Sequence, residues 1–248
     1  MNPSPLIEVR NVSLHYGRFK ALSNVTVSFA PNQLTAIIGP NGAGKSTFFN
    51  VLSGALPPTT GQVLFEGQDI TPLKAHDYAR RGIAKSFQIT NVFKQLSVHE
   101  NVRVAAQMLY ARYELFKPRA SFKQAIEEAD ALLDRVGLTA LRNKTVADLA
   151  HGQQRSLEIA MALAAKPKLL LMDEPTAGMS PEETSAMMTL ITELAKERTV
   201  VLVEHKMKLV MGICERLIVL HHGEFLAQGT ADEIRNNDEV RRVYLGQG

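Results

Sequence analysis

The densest set of residues able to do chemistry is Gly-Pro-Asn-Gly-Ala-Gly-Lys-Ser-Thr, from Gly39 to Thr47. Gly39 and Gly44 bracket four residues, and Lys45 and Ser46 follow directly. In such a turn the backbone N–H groups of Asn41, Gly42, Ala43, Gly44 and Lys45 can converge on phosphate oxygens, and the Lys45 ammonium can reach the β- and γ-phosphates of a nucleotide. The Ser46 hydroxyl is a hard oxygen suited to Mg²⁺. Gly42 and Gly44 let the main chain approach an anion with no Cβ in the way. The pattern carries this meaning only between a strand and a helix. Leu34 to Ile38 read as a buried strand and Thr47 to Leu52 as a helix, so the context predicts a phosphate-binding loop.

Three further strand ends carry polar groups toward that loop. Leu169 to Met172 are apolar, and Asp173-Glu174 follow; an acid pair there divides into Asp173 on the hydration shell of Mg²⁺ and Glu174 on the water that attacks a γ-phosphate. His205 ends the apolar run Val200 to Val203 after Glu204, where it can hydrogen-bond a γ-phosphate or serve only as a turn residue. Gln88 ends the short strand Ile83 to Phe87. Tyr16 sits in a loop before Gly17, placed either to pack or to stack on an adenine.

The elements that must position these groups follow from period and punctuation. Ile7, Val9 and Val12, then Val25, Val27 and Phe29, read as an antiparallel entry sheet, and Val63 to Phe65 with Gly67 as a further strand and turn. Residues from about Asn91 to Leu149 are helical: Ser97 with Glu100 caps one amphipathic helix, and Ser121 with Gln124 opens a second that Gly137 closes. A helix after Leu149 has its stripe at Leu157, Ala160, Met161 and Ala164. Ser180, Pro181 and Glu183 predict a capped helix to about Lys196. His222-Gly223 marks a hairpin, and Thr230 with Glu233 caps a terminal helix.

A 248-residue chain that is 45% apolar and 21% charged is ordinary globular composition, large enough for one α/β domain with an insertion. The net charge of +3 comes from scattered lysines and arginines, so nucleic-acid binding gains no support. Cys214 is the only cysteine, which excludes an intrachain disulfide and suits a small buried residue. No apolar run approaches the ~20 residues of a membrane span, and the N-terminus lacks the pattern of a secretory signal. The expectation is a cytosolic protein that reaches a membrane only through partners.

Taken together, GPNGAGKST from Gly39, Gln88 after Ser-Phe, LAHGQQR from Leu149, LLLMDEPTAGMS from Leu169 and VEHKM from Val203 resemble an ABC-transporter ATP-binding subunit over nearly the whole chain. The Leu149 segment separates that class from other P-loop ATPases. FQITNVFKQLSVHENV, EPTAGMSPEE and the closing VYLG are most similar to the ATPases of branched-chain amino-acid importers. The resemblance implies an α/β P-loop ABC ATPase with a mixed RecA-like core. Within a single domain 1–248, it implies an antiparallel β subdomain and phosphate loop in 1–90, a helical subdomain with the signature in 91–155, and the remaining core in 156–248. It implies Tyr16 as adenine platform, Lys45, Ser46 and Thr47 on phosphate and Mg²⁺, and Gln88 as metal contact and link to the membrane subunit. Glu174 becomes the base and His205 the switch. A head-to-tail dimer would bring each ATP between one phosphate loop and the partner's signature residues, here His151, Gly152 and Gln153.

Two departures stand out. Ala150 and His151 replace the Ser and first Gly of the usual Leu-Ser-Gly-Gly-Gln, and Ser180 stands where the family normally has Asp. The first removes a hydroxyl from the signature but leaves a helix N-terminus to face an anion; the second puts contacts across the dimer in question. The resulting expectation is an ATPase, with ATP and Mg²⁺, that drives solute import at the cytoplasmic face of the inner membrane. Its partners would be permease subunits, a second like or unlike ATPase and, indirectly, a solute-binding protein outside. Alternatives are the ATPase of a lipopolysaccharide exporter, a urea or amide importer, a non-transport interaction module, and a P-loop kinase, against which LAHGQQR and His205 argue.

Overall fold

The computed structural model describes residues 4–86, 92–110 and 122–245. Gln88 lies outside the described residues, as do Phe87 and Ser121. The N-terminal sheet is antiparallel, with β1 (Ile7–Tyr16) between β2 (Phe19–Phe29) and β4 (Thr60–Phe65), and β5 (Gln68–Asp69) beyond β4. The larger sheet also contains β3 (Leu34–Ile38), which follows β2 in the chain. Its order is completed by β6 (Ile83–Ser86), β7 (Leu169–Asp173), β8 (Thr199–Val203), β9 (Arg216–His221) and β10 (Glu224–Gly229), arranged β10-β9-β3-β8-β7-β6. Its pairings are parallel except for the β9–β10 hairpin.

β3, β7 and β8 are buried along their whole length, as strands covered on both faces must be. Their alternation divides the core in two. Leu34, Ala36 and Ile38 of β3, with Leu170, Met172, Val200 and Leu202, face a layer that includes Val98, Leu132, Leu157 and Ile191. Ile37, Leu169, Leu171, Val201 and Val203 face the other way, onto Phe48, Phe49, Phe29 and Ile7. The second layer is made by α1 (Lys45–Leu52) and the antiparallel sheet; α2 (Ala75–Arg80) adds Tyr78. The first layer comes from α3 (Val98–Tyr110), α4 (Lys123–Arg135), α5 (His151–Leu163) and α6 (Pro181–Ala195).

Several boundaries depart from expectation. α1 begins at Lys45, so Lys45 and Ser46 belong to its first turn. α2 is too short for a periodic signal and was not foreseen. The N-cap of α4 is Phe122; Ser121, expected to open this helix, lies outside the described residues. At the other end of α4, Gly137 N–H donates to Asp134 O (3.0 Å) and Leu138 N–H to Leu133 O (2.8 Å), the paired bonds of a glycine-closed helix. The chain continues through α7 (Met207–Ile213) and α8 (Ala231–Arg235), whose cap is the expected Thr230 and Glu233, into α9 (Asp238–Leu245), a further helix past the one expected to be last. Phe93 and Leu96 are exposed; Cys214 is buried.

Candidate active site

β3 delivers the chain into the Gly39–Gly44 loop, and neighbouring backbone leaves no room for a Cβ at either of those two glycines, whereas one on Gly42 would meet nothing within 4 Å. A Cβ on Gly39 would collide with the Leu220 carbonyl oxygen; on Gly44, whose φ is 92°, it would lie 2.8 Å from Ala21 O and 3.2 Å from Gly223 Cα. Gly223 N–H donates to Ala43 O at 3.1 Å, and Ser23 N–H to Gly223 O at 2.8 Å. The hairpin turn at His222-Gly223, both with positive φ, thus braces the loop against β2 from behind. The type of turn follows from those two signs, which suit the twist of a tight hairpin.

The amides of the first turn of α1 have no carbonyl within the helix to bond. Gly44 offers them no side chain, and no acid stands in that turn. The arrangement suits an external anion. Lys45 Nζ donates to Gly39 O at 2.7 Å and Pro40 O at 2.9 Å, folding over its own loop. Burial lowers its pKa, opposed by the charges of Glu174 and Asp173. Phe19, Ala21, the residues Asn41 to Thr47 and His205 line a cleft of about 270 Å³. Within it Asn41, Gly42 and Ser46 are exposed, and Ala43 is buried. Tyr16 is outside that lining but pairs in register with Phe19 across the β1–β2 turn, and both rings are exposed.

Asp173 and Glu174 stand at the C-terminal edge of β7. Burial raises the pKa of Asp173; Lys85 is the largest opposing influence. Lys85 itself has its pKa lowered by burial against the pull of Asp173, and its Nζ donates to Asn50 Oδ1 at 2.6 Å. Glu174 N–H donates to Val203 O at 2.9 Å, tying β7 to β8, and Glu174 Oε1 is 2.7 Å from His205 Nε2. Among the described residues no cluster of three His, Cys, Asp or Glu side chains could hold a metal unaided. The oxygens of Ser46 and Asp173 nevertheless fit a hard divalent cation that completes its shell with phosphate and water.

His151, Gly152 and Gln153 are elsewhere. Gly152 and Gln153 line a separate groove with Glu183 and Met187. A single chain therefore does not join its signature to its own phosphate loop. The exposed His151 ring approaches Gly178, and Gln153 Oε1 accepts the Ala150 N–H at 3.1 Å. A Cβ on Gly152 would meet Glu183 Oε1 at 2.5 Å. Glu183 is already engaged: its Oε2 accepts Ser180 N–H at 3.0 Å, while Ser180 Oγ accepts Glu183 N–H at 3.2 Å. The unexpected Ser180 is thus the N-cap of α6, a duty Asp performs equally well. The sequence does not single out Phe19 or Lys85, and it marks Gly223 only as a hairpin turn; an aromatic three residues after Tyr16 across a glycine turn is the one available signal.

Residues 22–177 match the ABC transporter family model, and residues 226–248 match that of the branched-chain amino acid ATP-binding cassette transporter. The chain is 39% identical to the high-affinity branched-chain amino acid transport ATP-binding proteins BraF of Pseudomonas aeruginosa and LivG of Escherichia coli, covering 98% of each chain. It is 34% identical, also over 98% of both, to the lipopolysaccharide export system ATP-binding protein LptB of Haemophilus influenzae. Among solved structures, an ATP-binding cassette of an ABC transporter in its ADP conformation superimposes with a TM-score of 0.87 at 29% identity, over 98% of this chain and all of the other. A dimeric post-hydrolysis cassette bound to ADP and phosphate gives 0.77 at 27%, over 91% and 98%.

Proposed function

The chain belongs to the ABC transporter family of ATP-binding subunits, and from that premise we propose that it powers import of branched-chain or similar amino acids through separate permease subunits. As an ABC ATPase it binds nucleotide and hydrolyses ATP. The observation that carries the solute class is the match of residues 226–248 to the branched-chain cassette model. The higher identity to BraF and LivG than to LptB supports the same choice over export.

In this reading the loop amides from Asn41 to Lys45 bind the β- and γ-phosphates, and Lys45 exchanges Gly39 O and Pro40 O for phosphate oxygens. Tyr16, with Phe19 beside it, takes the adenine. Ser46, Asp173 and Gln88 hold Mg²⁺, which when bound neutralises charge on the phosphate oxygens. Glu174 accepts a proton from the water that attacks the γ-phosphorus, the bond to the bridging oxygen breaks, and ADP leaves with phosphate. His205 holds Glu174 and the γ-phosphate in one hydrogen-bonded line. A second ATPase, like or unlike, completes the cleft with its own signature residues, while His151, Gly152 and Gln153 at the N-terminus of α5 serve the partner's cleft, which accounts for their distance from the cleft in one chain.

No helix among the described residues is long and apolar enough to cross a membrane. We assign the protein to the cytoplasmic face, held by permeases that cover the helical lobe of residues 91–155, where Phe93 and Leu96 offer exposed apolar surface. Tagged protein drawn from gently solubilised native membranes, with its companions identified by mass spectrometry, tests this. Two polytopic permeases and a second short ATPase are expected. Exporter subunits, or no membrane protein, would overturn it.

A further inference from the structure

Glu204 closes β8 one position before His205, is 4% exposed, and has no part in the chemistry above. A carboxylate buried that far is costly unless donors fill its lone pairs. Its Oε1 accepts the Thr176 N–H at 3.2 Å and also the Thr176 hydroxyl. Its Oε2 accepts the His205 N–H at 3.0 Å and, at the limit of reach, the Lys206 N–H at 3.5 Å. Lys206 Nζ returns to Thr176 O at 3.1 Å. The two oxygens thus hold two different loops. One carries Thr176, two residues after Glu174, in a turn closed by Ala177 N–H on Glu174 O at 3.1 Å; the other carries His205.

We infer that Glu204 is a positioning residue, a buried carboxylate clamp that fixes Glu174 and His205 relative to one another for ATP hydrolysis. The inference rests on the roles given above to those two residues. Four donors converge on Glu204 and it supplies only acceptors, so the amide of Glu204→Gln must turn an N–H₂ toward N–H or O–H donors whichever way it is set. One loop is then released while shape and volume are kept. Misplacement of a reacting group by about an ångström costs up to ~10²-fold in rate.

The test is steady-state ATP turnover of the assembled complex carrying Glu204→Gln, His205→Ala, both, or Glu174→Gln. The expected result is a kcat lowered about tenfold or more by Glu204→Gln, with KM for ATP within about twofold, and no further loss from Glu204→Gln once His205 is Ala. A purely structural role would lower the melting temperature and the yield of folded complex but leave kcat per folded complex unchanged. Should Glu204→Gln not fold, Thr176→Val, which removes one donor and leaves the carboxylate in place, must lower kcat with KM retained. Normal kcat in the folded variant, or losses that multiply with His205→Ala, would overturn the inference. If Glu174→Gln turns over normally, the underlying reading fails instead; if it is inactive while Glu204→Gln is normal, only the clamp fails.

Discussion

His205 Nε2 lies 2.7 Å from Glu174 Oε1, although the two side chains leave the ends of different parallel strands. The strands bring them together because β7 and β8 run in register from Leu169–Thr199 to Asp173–Val203, and the Glu174 N–H extends the ladder by one bond to Val203 O. In the proposed reading the imidazole links this carboxylate to the γ-phosphate. Glu174 holds this place with a positive φ of 46°, a conformation that costs a non-glycine residue about 1 kcal/mol or more. His205→Ala should therefore lower kcat for ATP by about 10²-fold and leave nucleotide affinity within a few-fold, as read by phosphate release and by fluorescent-nucleotide titration. An affinity loss as large as the rate loss would contradict that division.

Gly223 braces the phosphate loop without lining the nucleotide cleft. A Cβ there would lie 2.6 Å from Ala21 O at a φ of 78°. Gly67 has nearly the same φ, 76°, with nothing within 4 Å of its would-be Cβ. Gly223→Ala should weaken ATP binding about tenfold, which is ~1.4 kcal/mol. Gly67→Ala should bear the backbone strain alone, losing on the order of 1 kcal/mol of stability with unchanged affinity. Titration of both variants, with their melting curves, separates contact from strain.

Ser180 tests whether the departure from Asp matters. Its hydroxyl and the Glu183 carboxylate cap α6 reciprocally. Ser180→Ala should cost ~1 kcal/mol in chemical denaturation, and Ser180→Asp less than ~0.5 kcal/mol. A large loss from Ser180→Asp would mean that the serine does more than cap.

Asp173 should set a pH-dependent cost. Burial holds its folded pKa above the ordinary carboxylate value. A raised folded pKa means a stabilising contribution present below the unfolded pKa and lost as pH rises through the folded one. At neutral pH the ionised Asp173 is thus a burden, consistent with a group kept for function. Asp173→Asn should raise the melting temperature near pH 7.5, with the gain shrinking toward about pH 4. A gain independent of pH would point to a cause other than ionisation.

Much of this was legible where the signal is local. The phosphate loop sits between a five-residue buried strand and a helix, the α6 cap is written in Ser180, Pro181 and Glu183, and the β9–β10 turn in His222-Gly223. What was not legible depends on partners remote in the chain. Glu204 reads as any acid after a strand until Thr176, 28 residues earlier, is seen against it. Gly223 matters because Ala21 and Gly44 converge on it. Lys85 interrupts an apolar strand and gains meaning only beside Asp173. Short helices such as α2 and α9 have too few turns for a period to emerge.

The central claim, that Glu174 is the base of an ATP-hydrolysing site, is tested most directly by Glu174→Gln in the complex purified from membranes. The account predicts turnover lowered ~10²- to 10⁴-fold, with ATP and Mg²⁺ retained on the protein after gel filtration. Phosphate release at the wild-type rate, or loss of bound ATP together with activity, would contradict it.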